Sequence, residues 1–156
     1  MGLQVIAVDG KTARGARRCD GRAVHLFAAL SQDTSVVLGQ CALDPKTNEI
    51  NTFGPLLDRL NITGAIINAD ALHTQRAHVT YLSEHGAHSI FIIAKDNQPR
   101  LHRQLASVPW KQVPPADPTT RKGHGRVETR TVKLVAVTAG FEFPHAALTI
   151  QTTLTL

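Results

Sequence analysis

Cysteine is scarce in this 156-residue sequence: Cys19 and Cys41 stand alone, and no Cys-x-x-Cys pair occurs. That excludes a disulfide framework and a cysteine-based zinc finger, and it suits a reduced, cytoplasmic protein. No apolar run approaches the roughly 20 residues of a membrane span, and the amino terminus lacks a basic-then-apolar leader pattern. Gly-x-Ser-x-Gly, P-loop and dinucleotide fingerprints are missing, which argues against the hydrolase, nucleotidase and Rossmann classes that depend on them. Tryptophan occurs once, and Trp110, between Pro109 and Lys111, reads as loop packing rather than a base-stacking platform. Eight histidines are present, yet His73, His78, His85 and His88 have no finger spacing and no cysteine nearby.

What the chain does have is a globular balance, with 42% hydrophobic and 19% charged residues, enough for one ordinary domain with a real core. Lys plus Arg number 17 against 12 Asp plus Glu, a net charge of +5 that fits a nucleic-acid partner without requiring one.

Short β-branched runs alternate with helical spacing. Strands are expected over residues 5–9, 23–30 and 35–43, joined as an antiparallel meander, with a basic glycine-containing turn over residues 11–22. Ile50, Phe53, Leu57 and Leu60 mark a helical face that Asn48 or Thr52 could cap, with Pro55 tolerable only in the first turn. A strand ending at Asp70, a helix over residues 74–85 stopped by Gly86 and a strand over residues 88–94 follow. Asn97 is the expected cap of a third helix carrying Leu101, Leu105 and Val108. The order βββ-α-β-α-β-α is that of a ribonuclease-H-like α/β fold, a mixed sheet with flanking helices. We divide the chain into a core at residues 1–110, a proline-rich loop at 111–126 and the start of a β-rich insertion at 127–156.

The chemistry concentrates on two aspartates. Val5-Ile6-Ala7-Val8-Asp9 and Ala65-Ile66-Ile67-Asn68-Ala69-Asp70 are buried-strand runs that each close on a carboxylate. A single Asp after a strand is an ordinary turn-former. Two of them on neighbouring strands converge at the carboxyl edge of a sheet and can share divalent metal ions, the basis of two-metal phosphodiester chemistry. Beside Asp9, Lys11 is placed to meet a phosphate. Arg14, Arg17 and Arg18 extend a cationic strip suited to a nucleic-acid backbone, and Arg121, Lys122, His124, Arg126 and Arg130 form a second cluster.

Five blocks resemble one family in order and spacing: Ile6-Ala7-Val8-Asp9-Gly10-Lys11-Thr12 with Arg14-Gly15, Lys46-Thr47-Asn48-Glu49-Ile50, Asn68-Ala69-Asp70-Ala71-Leu72-His73-Thr74-Gln75, Lys95-Asp96-Asn97-Gln98-Pro99 and Gly123-His124-Gly125-Arg126-Val127-Glu128. The sequence is similar to DDE transposases of bacterial insertion sequences, in the H-repeat-associated branch. The resemblance implies DNA transposition by metal-dependent strand cleavage and transfer. It further implies Asp9 and Asp70 as catalytic metal ligands for two Mg²⁺ or Mn²⁺ ions, and transposon-end DNA contacted by Lys11, Arg14, Arg17, Arg18, Lys95 and Arg126. The expected partners are DNA, a second copy of the chain or a full-length transposase. The family's amino-terminal domain and its later block with the third catalytic glutamate have no counterpart here. The expectation is therefore a truncated copy with little activity alone. The alternatives are a non-catalytic DNA-binding remnant and a small nuclease using Glu128, although residues 127–137 have strand rather than helix pattern.

Overall fold

A computed structural model describes residues 3–43, 48–91, 97–116, 118–123, 126–137 and 140–155. The chain forms two compact units, residues 1–98 and 99–156.

The first unit is a five-stranded mixed sheet in the order β3-β2-β1-β4-β5. β1 (Val5–Arg17), β2 (Ala23–Ser31) and β3 (Val37–Ala42) make the meander, and β4 (Ile66–Ala69) and β5 (His88–Phe91) join parallel to β1. This is the ribonuclease-H-like arrangement expected from the element order. Strand alternation turns Ile6, Val8, Phe27, Ala29, Ile67 and Ala69 to one face, all fully or nearly fully buried. Phe53, Leu56 and Leu57 of α1 (Glu49–Leu57) join the same core cluster, as does Leu82 of α2 (Arg76–Glu84). The opposite face carries Ala7 and Asn68, half-buried, and Ile90, exposed.

Three local expectations change. β1 does not stop at Asp9: it continues to Arg17, paired with β2 as far as Arg17↔Ala23, so most of the expected basic turn is the first arm of a β-hairpin. Residues 14–16 have no partner across the ladder, an irregularity that suits the small Gly15 and Ala16. Pro55 lies inside α1 beyond its first turn, where the burial of Leu56 and Leu57 on the sheet outweighs one missing backbone hydrogen bond. Asn48 is the helix cap, its side chain accepting from Asn51 N–H at 2.9 Å. Asn97 does not cap a helix through its oxygen. Its amide donates to Ala71 C=O, and Oδ1 has no partner among the described residues.

The second unit holds α3 (Pro99–Ala106) and a three-stranded antiparallel sheet in the order β6-β7-β8, with β6 Thr119–Gly123, β7 Arg126–Ala136 and β8 Leu148–Thr155. The expected loop over residues 111–126 thus contains a strand, because residues 119–123 pair antiparallel with β7. Trp110 packs locally, donating from Nε1 to Leu105 C=O at 2.8 Å, while Lys133 Nζ donates to Trp110 C=O at 2.6 Å. No helix among the described residues is long and apolar enough to cross a membrane.

Candidate active site

β1 and β4 run parallel in the register Ala7↔Asn68, Val8↔Ala69. One residue further along each strand stand Asp9 and Asp70, both exposed. Neighbouring strands lie about 4.8 Å apart, and alternation sends both side chains to the face of Ala7 and Asn68, away from α1 and α2. The two acids are therefore side by side on the carboxyl edge of the sheet. Asp70 also opens a single 3₁₀ turn, Ala71–His73, and its Oδ1 accepts from Leu72 N–H at 2.9 Å. That bond fixes one carboxylate oxygen and leaves Oδ2 for another partner.

Hard oxygen donors of this kind match Mg²⁺ or Mn²⁺ rather than softer ions. Exposed neighbouring carboxylates repel one another until a cation lies between them, so the donor set fits such an ion. Among the described residues no group of three acidic, histidine or cysteine side chains is arranged to hold a metal. As candidate metal ligands the pair would be a partial set.

Lys11 is exposed and shares the face of Asp9 by alternation along β1. Arg17 and Arg18 have structural bonds, Arg17 Nη1 to Gly21 C=O in the hairpin turn at 2.8 Å and Arg18 Nη2 to Leu43 C=O, just past β3, at 2.5 Å. A guanidinium has five donors, so each retains several. Arg14 is exposed in the irregular stretch. Lys95 lies outside the described residues; Arg126 opens β7 opposite Gly123. Glu128 lies on β7, paired with Arg121 of β6, in the second unit.

Behind the aspartates, on the helix side of the sheet, is a polar chain that the motif reading missed. Glu49, first residue of α1, faces His25 Nε2 with Oε1 at 2.6 Å and His73 Nε2 with Oε2 at 3.3 Å. His25 Nδ1 in turn meets Thr12 Oγ1 at 2.9 Å. The His73 ring is fully buried, 5.3 Å from the Phe27 ring, 5.1 Å from Phe53 and 5.4 Å from His78. His78 stacks on Phe53 at 4.2 Å and bonds Ile50 C=O at 3.0 Å; burial pushes it below its ordinary pKa of 6.5. Two fully or nearly buried imidazoles have a sequence signal, since His73 and His78 sit at core positions beside an apolar helix. The links of His25 and His73 to Glu49 depend on tertiary approach and have none.

The chain matches the family profile described as "Transposase DDE domain" over residues 1–152. It is 37% identical over 133 residues to the H repeat-associated protein YbfD of Escherichia coli (strain K12), covering 81% of this chain and 52% of that one. It is 36% identical over 133 residues to the H repeat-associated protein YhhI of the same strain, covering 81% of this chain and 35% of that one. A third relative, from Xanthobacter autotrophicus and described by its position in the dhlA 3′ region, is 33% identical over 135 residues, covering 83% of this chain and 45% of that one. In fold the chain is similar to the piggyBac transposase of a synaptic complex with hairpin DNA, with a TM-score of 0.53 and 9% identity, over 95% of this chain and 32% of that one. A two-acid edge on this sheet and a match across nearly the whole length lead to one statement: the chain belongs to the DDE-domain transposase family. It spans about half or less of the length of these curated relatives.

Proposed function

We propose that this chain carries the first two carboxylates of a metal-dependent DNA strand-transfer centre, Asp9 and Asp70, and a hairpin arm that grips the DNA backbone. The supporting observation is the register Val8↔Ala69, which sets the two acids abreast on one face of the sheet. Bound Mg²⁺ or Mn²⁺ would activate a water or 3′-hydroxyl and stabilise the leaving oxygen. Asp9 and Asp70 would hold the ions, with Asp70 oriented by the Leu72 amide. Lys11 meets a phosphate oxygen on the same face, while Arg14, Arg17 and Arg18 contact neighbouring phosphates along the strand being cut.

Two carboxylates complete only part of such a site, so we expect these 156 residues alone to bind DNA and metal but cleave slowly or not at all. The second reading is a non-catalytic DNA-binding remnant, which salt-dependent DNA binding without metal-dependent nicking would favour. The nuclease reading would need Glu128, which stands on strand β7.

The deciding experiment measures Mn²⁺ binding and Mn²⁺-dependent nicking of transposon-end DNA by the folded chain. Asp9→Asn or Asp70→Asn should each weaken Mn²⁺ binding at least tenfold. Unchanged binding in both variants would remove the metal site. Robust nicking that Glu128→Gln abolishes would replace this reading with a complete nuclease.

A further inference from the structure

Glu49, we infer, is the positioning residue of the Asp9–Asp70 edge, a half-buried carboxylate that clamps the β2 strand to the turn opened by Asp70. The inference rests on the metal-site reading above and adds a part to it.

Three observations converge. First, the carboxylate is shared between two elements, with His25 Nε2 on β2 at 2.6 Å and His73 Nε2 in the Asp70 turn at 3.3 Å. Second, the backbone of the turn is bonded elsewhere, Ala71 C=O by Asn97 and His73 C=O facing His78 Nδ1 at 3.2 Å, but the polar edge of the His73 ring faces Glu49. His73 Nδ1 is buried with no partner among the described residues, so the imidazole proton belongs on Nε2, where Glu49 accepts it. Third, the sheet leaves room for the carboxylate. A Cβ at Gly10 would lie 1.8 Å from Glu49 Oε1 and 2.7 Å from His25 Nε2, so any side chain there would displace the clamp. Gly10 adjoins Asp9 in sequence, and His73 lies three residues after Asp70. One carboxylate thus touches the neighbourhood of both acids.

Glu49 is not a third metal ligand. Gly10 alternates with Asp9, so the side from which Glu49 approaches is the helix-covered face, opposite the one where Asp9 and Asp70 project. Its effect passes through His73 and the turn. His73 N–H donates to Asp70 C=O at 3.2 Å, and Leu72 N–H donates to the Asp70 carboxylate at 2.9 Å. Loss of the clamp leaves the His73 ring without a side-chain acceptor among the described residues and lets the turn shift, carrying Asp70 Oδ1 with it.

The test compares the 156-residue chain with Glu49→Ala, Glu49→Gln and Gly10→Ala, by amide hydrogen exchange and by electron paramagnetic resonance titration with Mn²⁺. Exchange at Leu72 and His73 reports the turn without any metal, and exchange at Phe27 and Ile67 reports general loosening of the core. Glu49→Ala and Gly10→Ala should speed Leu72 and His73 at least tenfold more than Phe27 and Ile67. They should also weaken Mn²⁺ about tenfold, at the low end of what outer-shell partners of metal ligands contribute. Glu49→Gln should stay within about threefold of the parent. Its carbonyl accepts from His73, and its amide donates to His25 Nε2 once the His25 proton moves to the nitrogen facing Thr12. Equal acceleration at turn and core, with Mn²⁺ affinity of the folded protein unchanged, would reduce Glu49 to an ordinary structural contact and overturn the inference. If the parent chain binds no Mn²⁺, or Asp9→Asn binds it as well, the metal reading fails and the exchange ratio alone decides: selective acceleration at the turn sustains the clamp, uniform acceleration ends it.

Discussion

The two units use apolar residues in opposite ways. In the first, Ile6, Phe27, Phe53, Leu57 and Ile67 are entirely buried between a sheet and two helices. In the second, β7 and β8 pair Leu134 with Ile150 and Arg130 with Leu154, and all three apolar side chains remain about half exposed. Among its described residues only Leu101 and Thr149 are buried. The first unit is held by its own core, and the candidate site stands on it. The second is held mainly by strand pairing. A site that needs carboxylates fixed to within an ångström belongs on the former.

The contrast breaks most easily at Phe53. Its truncation to Ala removes a ring packed against His73 and His78 and should cost about 3–5 kcal/mol. Leu134→Ser, on the exposed face of β7, should change stability by no more than about 0.5 kcal/mol. The single Tyr81 lies in the first unit and the single Trp110 in the second, so urea unfolding followed at both chromophores assigns each loss to its unit. A larger effect at Leu134 would reverse the comparison.

Next in size is the hairpin arm. Arg14, Arg17 and Arg18 changed together to Gln should weaken DNA binding about 100-fold near 0.15 M salt and flatten the log-salt slope by roughly two to three units. The matched change at Arg121 and Arg130 of the second unit should have the smaller effect. Equal slopes for the two sets would mean that the arm is only a solvated hairpin.

The smallest effect is acid sensitivity. His78 has its pKa lowered by burial, so in the folded protein the neutral ring persists to lower pH than in the unfolded chain. The unfolded state then binds the extra proton first. Stability is full above about pH 6.5 and declines as pH falls toward the folded value, by at most about 1.4 kcal/mol per pH unit for one proton. His78→Gln should flatten that decline in the Tyr81 signal and leave the Trp110 signal alone. A parent protein with no slope below pH 6.5 would contradict the burial argument.

Much of this was legible in the sequence because the strands bearing Asp9 and Asp70 are short β-branched runs, and their order alone makes β1 and β4 neighbours. Helix stops read equally well: Gly86 has φ +67°, the left-handed value that glycine accepts without strain. The errors share a cause. Lys11, Arg14 and Arg17 look like a turn because charge and glycine dominate locally, yet pairing with β2 extends the strand past them. Pro55 and residues 119–123 were likewise decided by tertiary pairing and burial. Glu49, His25 and His73 are distant in sequence, and no spacing rule links an acid at a helix start to two histidines on other elements.

β1 runs on through Asp9 while β4 gives way to a turn at Asp70, so the two acids differ in mechanical freedom. Asp9 is flanked on the β2 side by paired residues from Ile6 to Ala13, and its main chain cannot move without opening that ladder. Asp70 stands at the junction of a four-residue strand and a one-turn helix, where side-chain bonds, Leu72 N–H to its own carboxylate and His73 to Glu49, take the place of a second ladder. If the pair holds metal as proposed, it works like a vice with one jaw braced by main chain and the other by side chains. Weakening the Glu49–His73 brace would then loosen the Asp70 side of the site and leave the Asp9 side in place.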